Sequence, residues 1–343
     1  MLPILIIFNR QHTLKVVLNA NPYLVKKSRK FTYIYCMTGH LRVKSPWSQL
    51  GIFFGLLGAG FIVGYLIMGI VAFSMGLQNA STMGKLDWSR PEVLTGMKVI
   101  QALSSILIFF LPAYLFAFIV YDGKTTNFLG LKPAPLKPMY VLAIVIIMVA
   151  FPFVFWLGEL NQLIPLPQWM GTLENEATKQ MQQFLKAGHI GDVVINVLII
   201  ALLPAICEEV CFRGALQRIM IHITKNAWTG IIVTSILFSA LHMQFQGFLP
   251  RMFLGVILGA IYWYSGSLWP SILAHFVNNA LQVIVVSYAP QYIEKNPPIP
   301  ILLAAFSGLL IWGLLWVFKS TSKVTYQKIY EPDDLNRNNE FLA

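Results

Sequence analysis

Charge is scarce in this chain. Aspartate, glutamate, lysine and arginine make up 11% of its 343 residues, where a soluble domain carries about 25%. With 57% hydrophobic residues, that scarcity excludes a water-soluble globular protein. Acids are the rarer sign, 14 against 25 basic residues. The excess of +11 lies in the segments between apolar runs, as it does in the cytoplasmic loops of membrane proteins, so nucleic acid is not the expected partner. Cysteine is nearly absent. Cys36, Cys207 and Cys211 cannot make a disulfide framework. Cys207 and Cys211 are four apart on one helix face and read as small apolar fillers, since a thiolate pair leaves most of a zinc shell unfilled. No internal repeat is apparent, direct or inverted, where many transporters carry one. HExxH and other compact zinc signatures are missing. The opening run LPILIIF has no basic residue before it and no small-residue cleavage site after it, so it fails as a secretory signal.

Long apolar runs, by contrast, are plentiful. About eight reach the roughly 20 residues that a bilayer requires: near 50–77, 97–121, 139–158, 191–212, 227–246, 249–265, 267–288 and 299–318. The expected fold is therefore an all-α polytopic membrane protein. Its parts are a basic N-terminal tail over 1–48, N-terminal transmembrane helices over 49–190, a core over 191–290, a last helix over 291–319 and a polar C-terminal tail over 320–343. Met37, as well as Met1, is a candidate start. Gly51-x-x-x-Gly55 and Gly255-x-x-x-Gly259 fit close helix–helix approach. Pro152, Pro204 and Pro270 can kink or start helices. Pro165 and Pro167 precede a segment near 170–187 in which Leu173, Ala177, Met181 and Phe184 recur at helical spacing. It reads as an amphipathic helix on the outer interface, a lid or brace.

Lysine and arginine in the connections set the expected orientation. The tract Lys26, Lys27, Arg29 and Lys30, then Arg42 and Lys44, precedes the first span. Lys124, Lys132 and Lys137 follow the second, Arg213, Arg218 and Lys225 the fourth, and Lys319 and Lys323 the eighth. With eight spans these share one side, which places both termini in the cytoplasm.

Within this oily chain the stretch AICEEVCFRG, from Ala205 to Gly214, stands out. A charge at membrane depth costs roughly 2.5–3.5 kcal/mol on insertion scales, so an intramembrane acid is a functional candidate. On a helix Glu209 and Arg213, four apart, share a face and can pair. Glu208 points elsewhere and is free to face a cavity. Two adjacent acids in a low dielectric do not both stay charged unaided, and Arg213 supplies the counter-charge for one. His242 lies in an apolar run with Phe238 one turn earlier. His275 has Asn279 one turn later, and an imidazole N–H with an amide N–H can serve an oxyanion jointly.

The set E-E-x-x-x-R, F-x-x-x-H and H-x-x-x-N falls in order on three separate spans. It resembles the CPBP family of intramembrane endopeptidases, which includes CAAX prenyl proteases and bacteriocin-processing or self-immunity proteins. FRG after the acids and GSLWPSILAH before the last histidine agree, and the likeness covers roughly 200–285. It implies an enzyme that cuts a membrane-bound peptide or protein, prenylated or leader-bearing, near the cytoplasmic side of the lipid bilayer. Glu208 would act with His242 to deprotonate water, His275 and Asn279 would stabilise the oxyanion, and Glu209 with Arg213 would hold the acid helix, with Phe238 as a further supporting residue. That mechanism requires no cofactor. The family's other reading is a zinc protease with His242, His275 and Glu208 as ligands, and it stays open, as does the oligomeric state. Two further functions remain on the table: a non-proteolytic immunity or scaffold protein of the same family, and a proton-coupled transporter using the acid and histidines as a relay. The depths do not match at first sight. At 1.5 Å per residue His242 lies about 20 Å along its span, His275 is shallower, and they meet only if spans are tilted, offset or broken.

Overall fold

The computed structural model describes residues 5–8, 14–17, 45–75, 90–120, 125–293 and 297–324. The basic tract of the N-terminal tail, Cys36, Met37, Arg42, Lys44, Lys85, Lys124, Lys295 and most of the C-terminal tail lie outside these residues. Two four-residue strands, β1 (Leu5–Phe8) and β2 (Leu14–Val17), pair antiparallel within the expected tail, with Leu5 opposite Val17.

The rest of the described residues are mainly helical. Among them seven helices are long and apolar enough to cross a membrane: α1 (Pro46–Ser74), α2 (Pro91–Val120), α3 (Pro138–Gln162), α5 (Ile190–Thr224), α7 (Phe245–Ser265), α8 (Leu268–Tyr288) and α9 (Ile301–Thr321). Between them lie the amphipathic α4 (Gln168–Leu185) and the short apolar α6 (Ala227–Ala240). This is the architecture of a multi-pass integral membrane protein. Pro46, Pro91 and Pro138 stand at helix starts, where the missing N–H costs nothing. Large apolar side chains of α1 and α9, among them Ile62, Leu66, Ile70, Leu302, Leu309 and Trp312, face outward. Lipid is the solvent that makes this stable.

Of the eight expected spans, the one near 227–246 differs. Its helix stops after 14 residues, about 21 Å at 1.5 Å each, short of a hydrocarbon core of roughly 30 Å. The apolar run continues to Phe248, but Met243 takes a left-handed conformation (φ 53°) that ends the helix. The span near 191–212 errs the other way, because α5 runs on through FRGALQRIMIHIT to Thr224. Phe212, Ala215, Leu216 and Ile219 are buried there at helical spacing. Arg213 and Arg218 therefore belong to the helix rather than to a loop and leave the tally of connecting charges. Arg218 donates to the Phe128 carbonyl at 2.6 Å.

Local π-helical turns occupy Ser105–Phe110 and Val197–Leu202, just before Pro112 and Pro204. A proline ring crowds the carbonyl four residues back and removes one hydrogen bond, and a widened turn relieves both.

The glycine pairs divide. A Cβ on Gly255 would sit 3.0 Å from Ser235 Cβ, and one on Gly259 would sit 2.6 Å from Gln217 Oε1, so this pair does mark close packing, of α7 on α5 and α6. Gly51 and Gly55 have nothing within 4 Å. The close approach of α1 to α2 lies nine residues on, at Gly60 and Gly64, where added Cβ atoms would meet Pro112 Cγ at 2.6 Å and Ile108 Cγ1 at 3.3 Å.

Candidate active site

The connection between α2 and α3 enters the bundle rather than skirting it. Phe128 and Leu129 are buried. The start of α8 is tied to this inserted segment: Leu268 N donates to Gly130 O at 2.8 Å, Ser267 Oγ to Lys132 O at 2.6 Å and Trp269 Nε1 to Leu131 O at 2.8 Å. Gly130 itself has φ 73°, and a Cβ there would press on the Tyr262 ring at 2.8 Å. As a result α8 begins beside Gly214 on α5, where a Cβ would meet both Leu129 O and Leu268 Cδ1 at 3.2 Å. From Gly214 back to Glu208, and from Leu268 on to His275, the climb is about the same, close to 10 Å on each helix. This offset start is what brings His275 to the depth of the acids.

Glu209 is the hub. Its side chain is fully buried, Arg213 is 1% exposed, and Nη1 of Arg213 lies 2.8 Å from Oε1 of Glu209. That approach is a charge contact rather than an aligned hydrogen bond, because Nη1 meets no hydrogen-bond geometry. The same Oε1 lies 2.9 Å from His275 Nδ1, and Oε2 accepts from Ser271 Oγ at 2.6 Å. The guanidinium stacks over the Phe238 ring, 4.4 Å from its centroid, and donates from Nη2 to Gly255 O at 3.5 Å. A buried pair of this kind is tolerable because further hydrogen bonds satisfy the remaining lone pairs.

Glu208 points away from this hub, as one residue's rotation of about 100° requires. Its side chain keeps 14% exposure, and Oε2 stands 3.8 Å from His275 Nε2, a separation that one water can bridge. His242 sits just past the end of α6. Its Nδ1 is 2.7 Å from Phe238 O. A carbonyl only accepts, so Nδ1 carries the hydrogen and neutral His242 has its lone pair on Nε2. The Glu208 carboxylate and the His275 ring both act electrostatically on His242. Phe238 lies between the histidines, 4.8 Å from the His242 ring and 6.0 Å from that of His275.

The structure thus gathers Glu208, Glu209, Arg213, Phe238, His242 and His275 from α5, α6 and α8. Asn279 lies one turn beyond His275 on α8, and its Oδ1 accepts from Asn278 Nδ2 at 3.1 Å. Cys207 and Cys211 are buried free thiols. Among the described residues no three His, Cys, Asp or Glu side chains are grouped to hold a metal ion. Of the three residues named for a zinc shell, Glu208 and His275 approach to 3.8 Å between Oε2 and Nε2. Ser271 is the residue that motif spacing passed over. It precedes His275 by one turn, as Asn279 follows it by one, and that shared face was the available signal.

Residues 190–281 match the family described as type II CAAX prenyl endopeptidase Rce1-like. The chain is 33% identical over 103 residues to an uncharacterized 24.3 kDa protein of Escherichia coli, covering 28% of this chain and 46% of that protein. It is 32% identical over 90 residues to the uncharacterized protein YpbD of Bacillus subtilis (strain 168), covering 25% of this chain and 43% of the other. The chain thus spans less than half the length of these relatives. No solved structure matches it. The segment that is similar to the Rce1-like family begins at the first residue of α5 and ends on α8 past Asn279, enclosing every residue gathered above.

Proposed function

We propose that the protein is an intramembrane endopeptidase that hydrolyses a peptide bond of a membrane-associated substrate, prenylated or leader-bearing, through a water activated by Glu208 and His242. The observation that carries this reading is the division of labour between adjacent acids. Glu209 is consumed by Arg213, Ser271 and His275, while Glu208 faces His275 Nε2 across 3.8 Å and keeps access to solvent.

The chemistry follows from those positions. Water between Glu208 and His242 gives up a proton as its oxygen attacks the scissile carbonyl carbon. The carbonyl oxygen becomes an oxyanion, for which His275 Nε2–H and the Asn279 amide are the donors. Glu209, behind Nδ1, holds the His275 ring in register and balances the positive charge on it, as a carboxylate does behind a catalytic histidine. The carbon–nitrogen bond then breaks as the proton passes to the departing amine. A cytoplasmic orientation of both termini is part of the same proposal; it rests on Lys132, Lys137, Lys225, Lys319 and Lys323 and requires the short α6 to cross as an eighth span.

The test is cleavage by purified protein in detergent, against a panel of prenylated and leader-like peptides. Wild type is compared with Glu208→Gln and His242→Ala, each with and without phenanthroline. Cleavage lost in both variants and kept with the chelator is the expected result. Cleavage that survives Glu208→Gln overturns the reading, and loss to chelator with recovery on adding zinc replaces the metal-free mechanism.

A further inference from the structure

His242 is placed by a short loop, Leu241–Gln244, between α6 and α7. That loop is strained. Met243, the next residue, has φ 53°, a region that L side chains other than asparagine and aspartate seldom enter. Such a conformation persists only where its surroundings over-determine it.

The surroundings are polar clamps from three helices. Asn161, buried on α3, donates from Nδ2 to Phe245 O at 2.7 Å and accepts at Oδ1 from Leu249 N at 2.7 Å. Arg251 on α7 donates to the side chain of Gln244 at 3.1 Å and also to its carbonyl. Glu174 on α4 accepts at Oε2 from Phe245 N at 2.8 Å and from Gln246 N at 3.4 Å. It also acts electrostatically on Arg251. Trp169, also on α4, meets the Phe245 ring edge-on at 5.7 Å. Asn161 and Arg251 sit on membrane-spanning helices. α4 does not: only Phe184 and Leu185, at its far end, are buried. Its first half is therefore attached to the bundle mainly where Trp169 and Glu174 touch the loop.

We infer that Glu174 is a positioning residue for His242, and that α4 works as a latch that holds the His242 loop in its strained form. This rests on the proposed proteolytic role of His242. Without Glu174, two first-turn N–H groups of α7 lose their acceptor. The apolar run that ends α6 is then free to wind on through Met243, which turns His242 away from Glu208. A misplacement of about 1 Å at a reacting group can cost roughly a hundredfold in rate.

Two measurements on the full-length protein test this, amide hydrogen exchange over 241–249 and peptide cleavage, for wild type, Glu174→Ala and Glu174→Gln. Glu174→Ala should speed exchange at Phe245 and Gln246 and lower kcat about 10- to 100-fold with KM within about twofold, since only the placement of a reacting group changes. Glu174→Gln keeps an acceptor oxygen and should recover most of both. Unchanged exchange in Glu174→Ala overturns the latch, whatever the cleavage result. Faster exchange with unchanged kcat overturns the positioning role. Should wild type cleave no peptide, it is the proteolytic reading that fails, and exchange alone decides the latch.

Discussion

Replacing Arg213 by methionine removes the cation from a fully buried pair while keeping most of the side chain's volume. Breaking a buried ion pair from one side costs about 3–5 kcal/mol, because the remaining charge is stranded. Here Glu209 keeps two partners, His275 Nδ1 at 2.9 Å and Ser271 Oγ at 2.6 Å. Hydrogen bonds to a charged group contribute about 1.5–3 kcal/mol each, so the lower end applies and the expected loss is about 3 kcal/mol. Arg213→Met also gives up the stacking on Phe238. Replacing both members, Glu209→Leu with Arg213→Met, strands no charge, and apolar substitution of buried pairs is often close to neutral. The double variant should therefore lie within about 1–2 kcal/mol of wild type, the remainder reflecting His275 Nδ1 left without Glu209, since Ser271 Oγ can still donate to Leu258 O at 3.0 Å. Equilibrium unfolding in mixed detergent micelles reads all four corners of this double-mutant cycle. A loss below about 1 kcal/mol for Arg213→Met, or single losses that add to within about 0.5 kcal/mol in the double variant, refutes the account of Glu209 as a desolvated hub. Neither the double variant nor Arg213→Met should cleave peptide, since His275 loses its fixed carboxylate in the first and the hub shifts in the second.

Ser271→Ala removes one of three supports of Glu209 without stranding a charge, and it should cost about 1.5–3 kcal/mol in the same unfolding assay while leaving measurable cleavage. Gly259→Ala should destabilise by about 1–3 kcal/mol, the range for overpacking, because its Cβ would meet Gln217 Oε1 at 2.6 Å and Ile231 Cγ2 at 2.9 Å. Gly51→Ala and Gly55→Ala, with open space around both positions, should match wild type or gain slightly from helix propensity. Comparing the midpoints of the three variants checks the assignment of each glycine face.

What the sequence determined by itself is what depends on local spacing and on the solvent. Twenty apolar residues in a row have one way to satisfy their backbone in lipid, so the helical, multi-pass architecture and most span positions were legible. So was the Glu209–Arg213 pair, because four residues on a helix fix which side chains share a face. The amphipathic α4 was visible for the same reason. Tertiary structure decided whatever depends on a neighbour. A Gly-x-x-x-Gly pair marks a smooth face but not what covers it, which is why Gly255 and Gly259 pack on helices, Gly51 and Gly55 do not, and Gly60 and Gly64 do. An apolar run does not carry its own stop, and α6 ends at Ala240 because clamps from Asn161, Glu174 and Arg251 hold the next residues in a loop. The meeting of His275 with the acids could not be counted along any one span. It depends on the inserted segment at Phe128–Lys132, which starts α8 beside Gly214 and so lifts His275 to the level of Glu208.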